Sequence, residues 1–195
     1  MRPMLLLALP ASLMLAGCFG GGSAPPQLYT LSSAQARPAA TPRSAGQGEA
    51  ITVAVPALPQ ALRTTRIPVY VNETTIQYLK DAVWVEQPGG LFARLLGETI
   101  AARTGRVVLD PSQYSNDPGS RITGTLVKFG LDPGQMQVVV VYDAVLARSG
   151  ANGAVVTNRF EARVPVADAT PATVAPALNQ ASNQVAEAVA AWIGG

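Results

Sequence analysis

The single cysteine of this 195-residue chain, Cys18, closes the run Leu15-Ala16-Gly17-Cys18. Before it lies an almost uninterrupted apolar segment from Met4 to Ala16, preceded by Arg2 and the chain's amine. A positive start, a short apolar stretch and small residues at a cut are the layout of a secretory signal. About thirteen apolar residues are too few to cross a bilayer as a helix, which takes about 20. The alternative is an ordinary signal followed by a free or disulfide-bonded thiol. A lone cysteine has no partner in its own chain, so that reading strands a thiol in an oxidising compartment.

Other chemistry finds few candidates. There is no histidine, which removes the commonest general base and the commonest metal ligand together. A serine nucleophile would then need a lysine base. Lys80 and Lys128 are the only lysines, and neither stands in a Ser-x-x-Lys arrangement. Asp81 with Glu86, and Asp143 with Glu161, are conceivable acid pairs, but solvated or salt-bridged surface carboxylates are the plainer reading. No Asp-x-Asp-x-Asp calcium loop occurs. Gly20-Gly21-Gly22 lacks the flanking strand, helix and lysine of a phosphate loop. No enzyme activity, metal or cofactor is expected.

Loss of residues 1–17 leaves 178 of the 195 residues, enough for one domain with a real core. It also removes Arg2, so thirteen cations face twelve carboxylates and the net charge is +1. Such a surface gives no reason to expect nucleic acid. Residues 18–49 read as a tether rich in Gly, Pro, Ser and Ala, with a short docking element at Leu28-Tyr29-Thr30-Leu31. Residues 50–195 read as one globular domain.

Within it, Ile51 to Val55 alternates as a strand and stops at Pro56. Ile67–Val71 and Thr75–Leu79 form a strand pair around Asn72-Glu73, which Ala82–Val85 extends or follows. Leu91, Phe92, Leu95, Leu96 and Ile100 recur at helical spacing between Pro88 and Gly105, predicting a helix over 89–104. Val107–Leu109 is a short strand, followed by a turn-rich loop. Strands 121–131 and 135–147 meet across Asp132-Pro133-Gly134. The second is apolar on both faces and belongs inside a sheet. Asn152-Gly153 signals a further hairpin into Val156–Val164. A last helix over 171–193 carries Val174, Leu178, Ala181, Val185, Val189 and Trp192 on its apolar stripe. Pro176 inside it suggests that the regular part begins only there. The fold class is α+β: a mostly antiparallel mixed sheet packed by two main helices. Trp84 and Trp192 read as core or subunit-contact aromatics. Tyr70 and Tyr78 are candidates for an exposed sheet face that meets a partner.

The Leu-Ala-Gly-Cys ending resembles the lipobox of bacterial lipoproteins. From there the chain resembles the ABC-type transport auxiliary lipoproteins, which include PqiC-like proteins. The resemblance is carried by Leu28-Tyr29-Thr30-Leu31, Ile51 to Pro56, Tyr78, Trp84-Val85-Glu86 before Leu91 to Leu96, Ile122–Phe129, the hairpin Val138–Phe160 and Ala191-Trp192-Ile193. The family shows Trp-Ala-Glu-Pro before its first helix. Here Trp84-Val85-Glu86-Gln87-Pro88 has Val for Ala and one inserted residue.

The resemblance implies cleavage between Gly17 and Cys18, a diacylglycerol thioether on the Cys18 sulfur, and N-acylation of the new terminus. Phe19, rather than the aspartate that retains lipoproteins at the inner membrane, favours the periplasmic face of the outer membrane. The implied role is non-enzymatic: a subunit of an intermembrane transport system. Its implied partners are an MCE-domain (mammalian-cell-entry) protein and an inner-membrane permease or ABC components. Envelope conduits are often rings, so self-association is also compatible. The alternative function is a lipoprotein that itself binds and shuttles a hydrophobic ligand in a cavity between sheet and helices.

Overall fold

The structure, a computed structural model, describes residues 27–35, 43–116, 119–150 and 153–194. Their order is β1 (Leu28–Tyr29), β2 (Ile51–Val53), β3 (Arg66–Tyr70), β4 (Ile76–Trp84), α1 (Pro88–Thr104), β5 (Val108–Leu109), β6 (Ser120–Asp132), β7 (Gln137–Ala147), β8 (Val155–Pro165) and α2 (Pro171–Gly194). The eight strands form one mixed sheet, and the fold is α+β as the residue patterns predict.

The long strand β6 organises the sheet. Along one edge it pairs antiparallel with β7, from Arg121↔Ala147 to Asp132↔Gln137. Two strands share its other edge, both parallel to it. β2 takes the beginning, Ile51↔Ser120 to Val53↔Ile122, and β3 takes the end, Val69↔Leu131. Between them Ala57 bridges Thr125, and Leu62 on a single 3-10 turn is buried beneath the connection. β5 continues outward from β2, while β4 and then β1 continue outward from β3. β8 closes the far side against β7. β7 is therefore an interior strand, consistent with its apolar residues on both faces.

Local chemistry sets the turns. Asn72 Oδ1 accepts the Thr74 amide at 3.0 Å, which folds the β3–β4 hairpin. Asp132 Oδ1 does the same for the amides of Gly134 and Gln135 in the β6–β7 hairpin. β4 runs on through Ala82 to Trp84. It does so by bulging at Leu79–Ala82, where Asp81 takes φ 56° and the register against β3 shifts. Pro88 starts α1, where a missing amide costs nothing, and left-handed Gly105 (φ 69°) ends it.

α2 begins at Pro171, not at Pro176. Asp168 Oδ1 accepts the Thr170 amide at 3.0 Å and its hydroxyl at 2.6 Å just ahead of the first turn. Pro176 lies on the exposed side of the helix, so the Ala172 carbonyl that it leaves without an amide partner faces solvent.

The helices pack on each other, and α2 lies across β7, β8 and β4. Phe92, Leu95, Ile100, Leu178, Val185 and Val189 meet Trp84, Ile122, Phe129 and Tyr142 in one core. All of these are at most 1% exposed. Val139 and Val141 point to the opposite face. Their register neighbours there are Arg163 and Glu161 on β8 and Gly130 and Lys128 on β6.

Candidate tethering site

Gly17 and Cys18, the expected cleavage and lipidation residues, lie outside the described residues. The described chain starts at Gln27 and immediately joins the fold. Leu28 and Tyr29 form β1, parallel to Val83 and Trp84 at the end of β4. The Val85 amide donates to the Tyr29 carbonyl at 2.9 Å. The Tyr29 ring meets Trp84 edge-on with centroids 6.4 Å apart, and Trp84 in turn packs on Phe129 at 5.5 Å. Leu31 is buried in the same core.

The next four residues are held by side chains rather than by a strand. Asn179, Asn183 and Glu187 stand four residues apart on α2, so they form a single row along its axis. Asn179 Oδ1 accepts the Ser32 amide at 2.8 Å. Asn183 Oδ1 accepts the Ala34 amide at 2.6 Å, and its Nδ2 donates to the Ser32 carbonyl at 2.9 Å. Gln35 Nε2 donates to Glu187 at 2.7 Å, and Arg103 of α1 pairs with the same carboxylate at 3.1 Å. From α1, the buried Thr99 hydroxyl shares a 3.2 Å hydrogen bond with Ser33. Residues 28–35 are thus clasped between the last helix, the first helix and the edge of the sheet. The sequence predicts a docking element at 28–31, and its motifs leave Asn179, Asn183, Glu187 and Thr99 unmarked. Two asparagines at i, i+4 beside an apolar stripe were the available signal.

The two tryptophans occupy different settings. Trp84 is 1% exposed, at the centre of the core, and its indole N–H meets no acceptor among the described residues. Trp192 is half-buried and packs against Phe160 with centroids 5.6 Å apart. Tyr70 and Tyr78 are committed to the domain. The Phe129 amide donates to the Tyr70 hydroxyl at 3.1 Å, and Lys128 Nζ lies 5.6 Å from the Tyr70 ring centroid. Burial pushes the Tyr70 phenol up, partly offset by that amide. The Tyr78 hydroxyl donates to the Ala61 carbonyl at 3.2 Å, with the Arg66 guanidinium 4.3 Å from its ring centroid.

The carboxylates considered as acid pairs each face an arginine or solvent. Glu86 pairs with Arg94, and Glu161 with Arg163. Asp143 accepts two hydrogen bonds from Arg159, at 2.6 and 2.7 Å. Those bonds hold the Asp143 carboxyl below the usual carboxylate range. Asp81 is exposed on the β4 bulge. Among the described residues no cluster of His, Cys, Asp and Glu is arranged to hold a metal, and no helix is long and apolar enough to cross a membrane.

An open groove of about 830 Å³ runs outside the core, between α1 and the β2–β5 edge. Gly90, Ala93, Gly97 and Ala101 of α1 face Val53, Val55 and Val108 across it, with Arg43 and Arg106 at its rim. Arg106 is occupied, donating to the carbonyls of Glu49 and Ala50.

Residues 29–190 match the family model described as the ABC-type transport auxiliary lipoprotein component. The chain belongs to this family. The match begins within β1, takes in α1 and all the other strands, and ends at residue 190, near the end of α2.

Among solved structures, protein XCC0632 from Xanthomonas campestris, of the DUF330 family, is similar at a TM-score of 0.66 and 19% identity, over 86% of this chain and 94% of that one. An uncharacterised protein is similar at 0.61 and 11% identity, over 86% and 97%. A PelC dodecamer from Paraburkholderia phytofirmans overlays less well, at 0.46 and 16% identity over 77% and 90%. At these identities the likeness to the first two is one of fold alone. No curated protein matches this auxiliary lipoprotein in sequence.

Proposed function

We propose that this auxiliary lipoprotein is anchored through acylated Cys18 on the periplasmic face of the outer membrane. There it docks the distal end of an MCE/ABC-type intermembrane conduit for lipids or other hydrophobic compounds. Its role is non-enzymatic, and any ATP hydrolysis belongs to other subunits. The observation that carries this reading is the clasp. The segment that follows the anchor is built into the fold from Leu28 onward, so only residues 19–27 separate the domain from the acylated residue. Three acyl chains would make residence effectively permanent, since one myristoyl chain alone binds only marginally and each buried CH₂ adds about 0.8 kcal/mol. A docking module held within reach of a surface engages its partner at high effective concentration.

Carriage of a ligand by the domain itself has less support. The space between sheet and helices, where such a ligand would sit, is filled by Trp84, Phe92, Phe129 and Tyr142, all at most 1% exposed. The 830 Å³ groove lies outside that layer.

The test is Cys18→Ser in the native host, with fractionation, intact-mass analysis and capture of an MCE-domain protein as readouts. Loss of acyl mass and of membrane fractionation, with the domain still folded, is expected. Wild-type protein in the membrane fraction should capture the MCE-domain partner. A Cys18→Ser protein that stays fully membrane-bound would contradict the anchor. An acylated wild-type protein that captures no MCE-domain partner would contradict the docking role. Persistent co-purified lipid in the isolated domain would favour carriage instead.

A further inference from the structure

The direction in which β1 enters the fold defines one end of the molecule. β1 runs parallel to β4, so at Gln27 the chain enters β1 from the side of Ile76, at the start of β4. On that side Tyr70 pairs with Ile76 across the β3–β4 hairpin, and Asp132 pairs with Gln137 across the β6–β7 hairpin. The parallel register Val69↔Leu131 sets the two hairpin tips side by side. Three of the seven exposed large apolar side chains among the described residues stand at these two tips: Val71 (42% exposed), Ile76 (43%) and Met136 (38%). Val155, at the opposite end of the sheet, pairs with Ala147, and Ala147 with Arg121.

We infer that this hairpin end, with Val71, Ile76 and Met136 at its tips, is the surface that rests against the lipid bilayer. The inference rests on acylation of Cys18. Leu28 lies beside Val83, which faces Arg66 on β3, and the tip starts at Tyr70. The tips therefore project about 13 Å beyond Leu28 toward the incoming chain, at about 3.3 Å per strand residue. Residues 19–27 span at most about 30 Å. An anchor on so short a lead, approaching from that side, brings the tips close to the leaflet that holds it.

Charge at this end is mixed. Glu73, Asp132 and Asp168 stand there with Lys128 and Arg163, and Arg163 lies 3.9 Å from Asp132. No excess of cations is available to grip acidic headgroups. The contact is therefore apolar, with the tips reaching the headgroup–acyl boundary, and it should be insensitive to salt.

The experiment uses full-length acylated protein bound to phosphatidylethanolamine/phosphatidylglycerol vesicles that contain nitroxide-labelled lipid. A fluorophore is placed on Ile76→Cys at the tip, Val85→Cys beside the β1 edge, or Val155→Cys at the far end. All three positions are exposed. In acylated protein Cys18 is a thioether and does not take the label. Quenching several-fold stronger at position 76 than at 85 or 155, and unchanged at high salt, is expected. Equal or stronger quenching at position 85 or 155, or quenching at 76 that high salt abolishes, would overturn the inference while leaving the anchor intact. Protein that does not sediment with vesicles, and whose intact mass shows no acyl addition, would overturn the anchor and this inference together.

Discussion

Asn183 holds Ala34 across 149 positions of sequence, its Oδ1 taking the Ala34 amide proton at 2.6 Å. The same side chain gives one proton to the Ser32 carbonyl and another to the Asn179 carbonyl one turn back. All three polar functions of a 7% exposed amide are therefore used. Asn183→Ala removes these bonds and leaves the Ala34 amide to find water. The expected cost is about 1–3 kcal/mol. The specific signature is local: hydrogen exchange at residues 28–35 should accelerate far more than exchange in β6 or β7. Uniform acceleration across the domain would show that Asn183 supports the fold as a whole rather than the clasp.

Trp84 links the clasp to the core, since its ring meets both Tyr29 and Phe129. Trp84→Ala leaves a large cavity at a site that is 1% exposed and should cost about 3–5 kcal/mol. Trp84→Phe should cost clearly less, because the indole N–H has no acceptor to lose among the described residues. Trp192→Ala, at a half-buried ring touching Phe160, should also fall well below Trp84→Ala. Urea denaturation of the three variants gives the order. A Trp192→Ala loss equal to that of Trp84→Ala would contradict the assignment of the core's centre.

Much of this architecture was legible because burial follows period. Leu91, Phe92, Leu95, Leu96 and Ile100 define α1, and its end at Gly105 follows from the left-handed residue needed there. Val138 to Tyr142, apolar on both faces, announced an interior strand. Pairing across long separations was not legible. Nothing in Ile51-Thr52-Val53 says that its neighbours are β5 and β6, or that β6 divides one edge between β2 and β3. The clasp stayed hidden for a different reason. Asparagine beside the apolar stripe of a helix ordinarily faces water, and only the returning chain at Ser32–Gln35 gives Asn179 and Asn183 something else to bind. Pro176 misled because proline interrupts helices by removing an amide. Here the carbonyl that loses its partner faces solvent, so the helix continues.

Tyr142 lies under the helices with its hydroxyl donating to the Thr123 carbonyl at 2.8 Å. Gly124 makes room for its ring: a Cβ there would stand 2.7 Å from the nearest ring carbon and 2.1 Å from the Asp143 carbonyl. Gly124→Ala should therefore destabilise the β6–β7 pair by about 1–3 kcal/mol, as overpacking does. Burial also drives the Tyr142 phenol well above its ordinary value. A folded-state pKa above the unfolded one contributes stability that is present below about pH 10 and is lost as pH rises beyond it. Tyr142→Phe should lose about 0.5–1.5 kcal/mol at neutral pH through the missing hydrogen bond. Its stability should then fall less steeply than wild type on the alkaline side. Equal alkaline slopes in chemical denaturation would contradict the burial of this phenol.

The acid side is governed by exposed carboxylates with defined donors. Hydrogen bonds from Arg159 depress Asp143, while the hydroxyls of Thr170 and Thr173 and the Thr170 amide depress Asp168. A folded-state pKa below the unfolded value contributes stability that is present above the unfolded pKa, about 3.9 for aspartate, and is lost as pH falls through the folded one. Both groups are largely exposed, so each contribution is small and screened by salt. Asp168 has the further role of bonding the residue that precedes α2, so its replacement frees the Thr170 amide as well as removing a charge near the helix start. Asp168→Ala should therefore lower stability at neutral pH more than Asp143→Ala does. Both variants should flatten the decline of stability between about pH 5 and pH 2. Thermal denaturation across that range at low and high salt measures it. A decline as steep in both variants as in the wild type would place the acid sensitivity of this domain elsewhere than in the hydrogen bonds of Asp143 and Asp168.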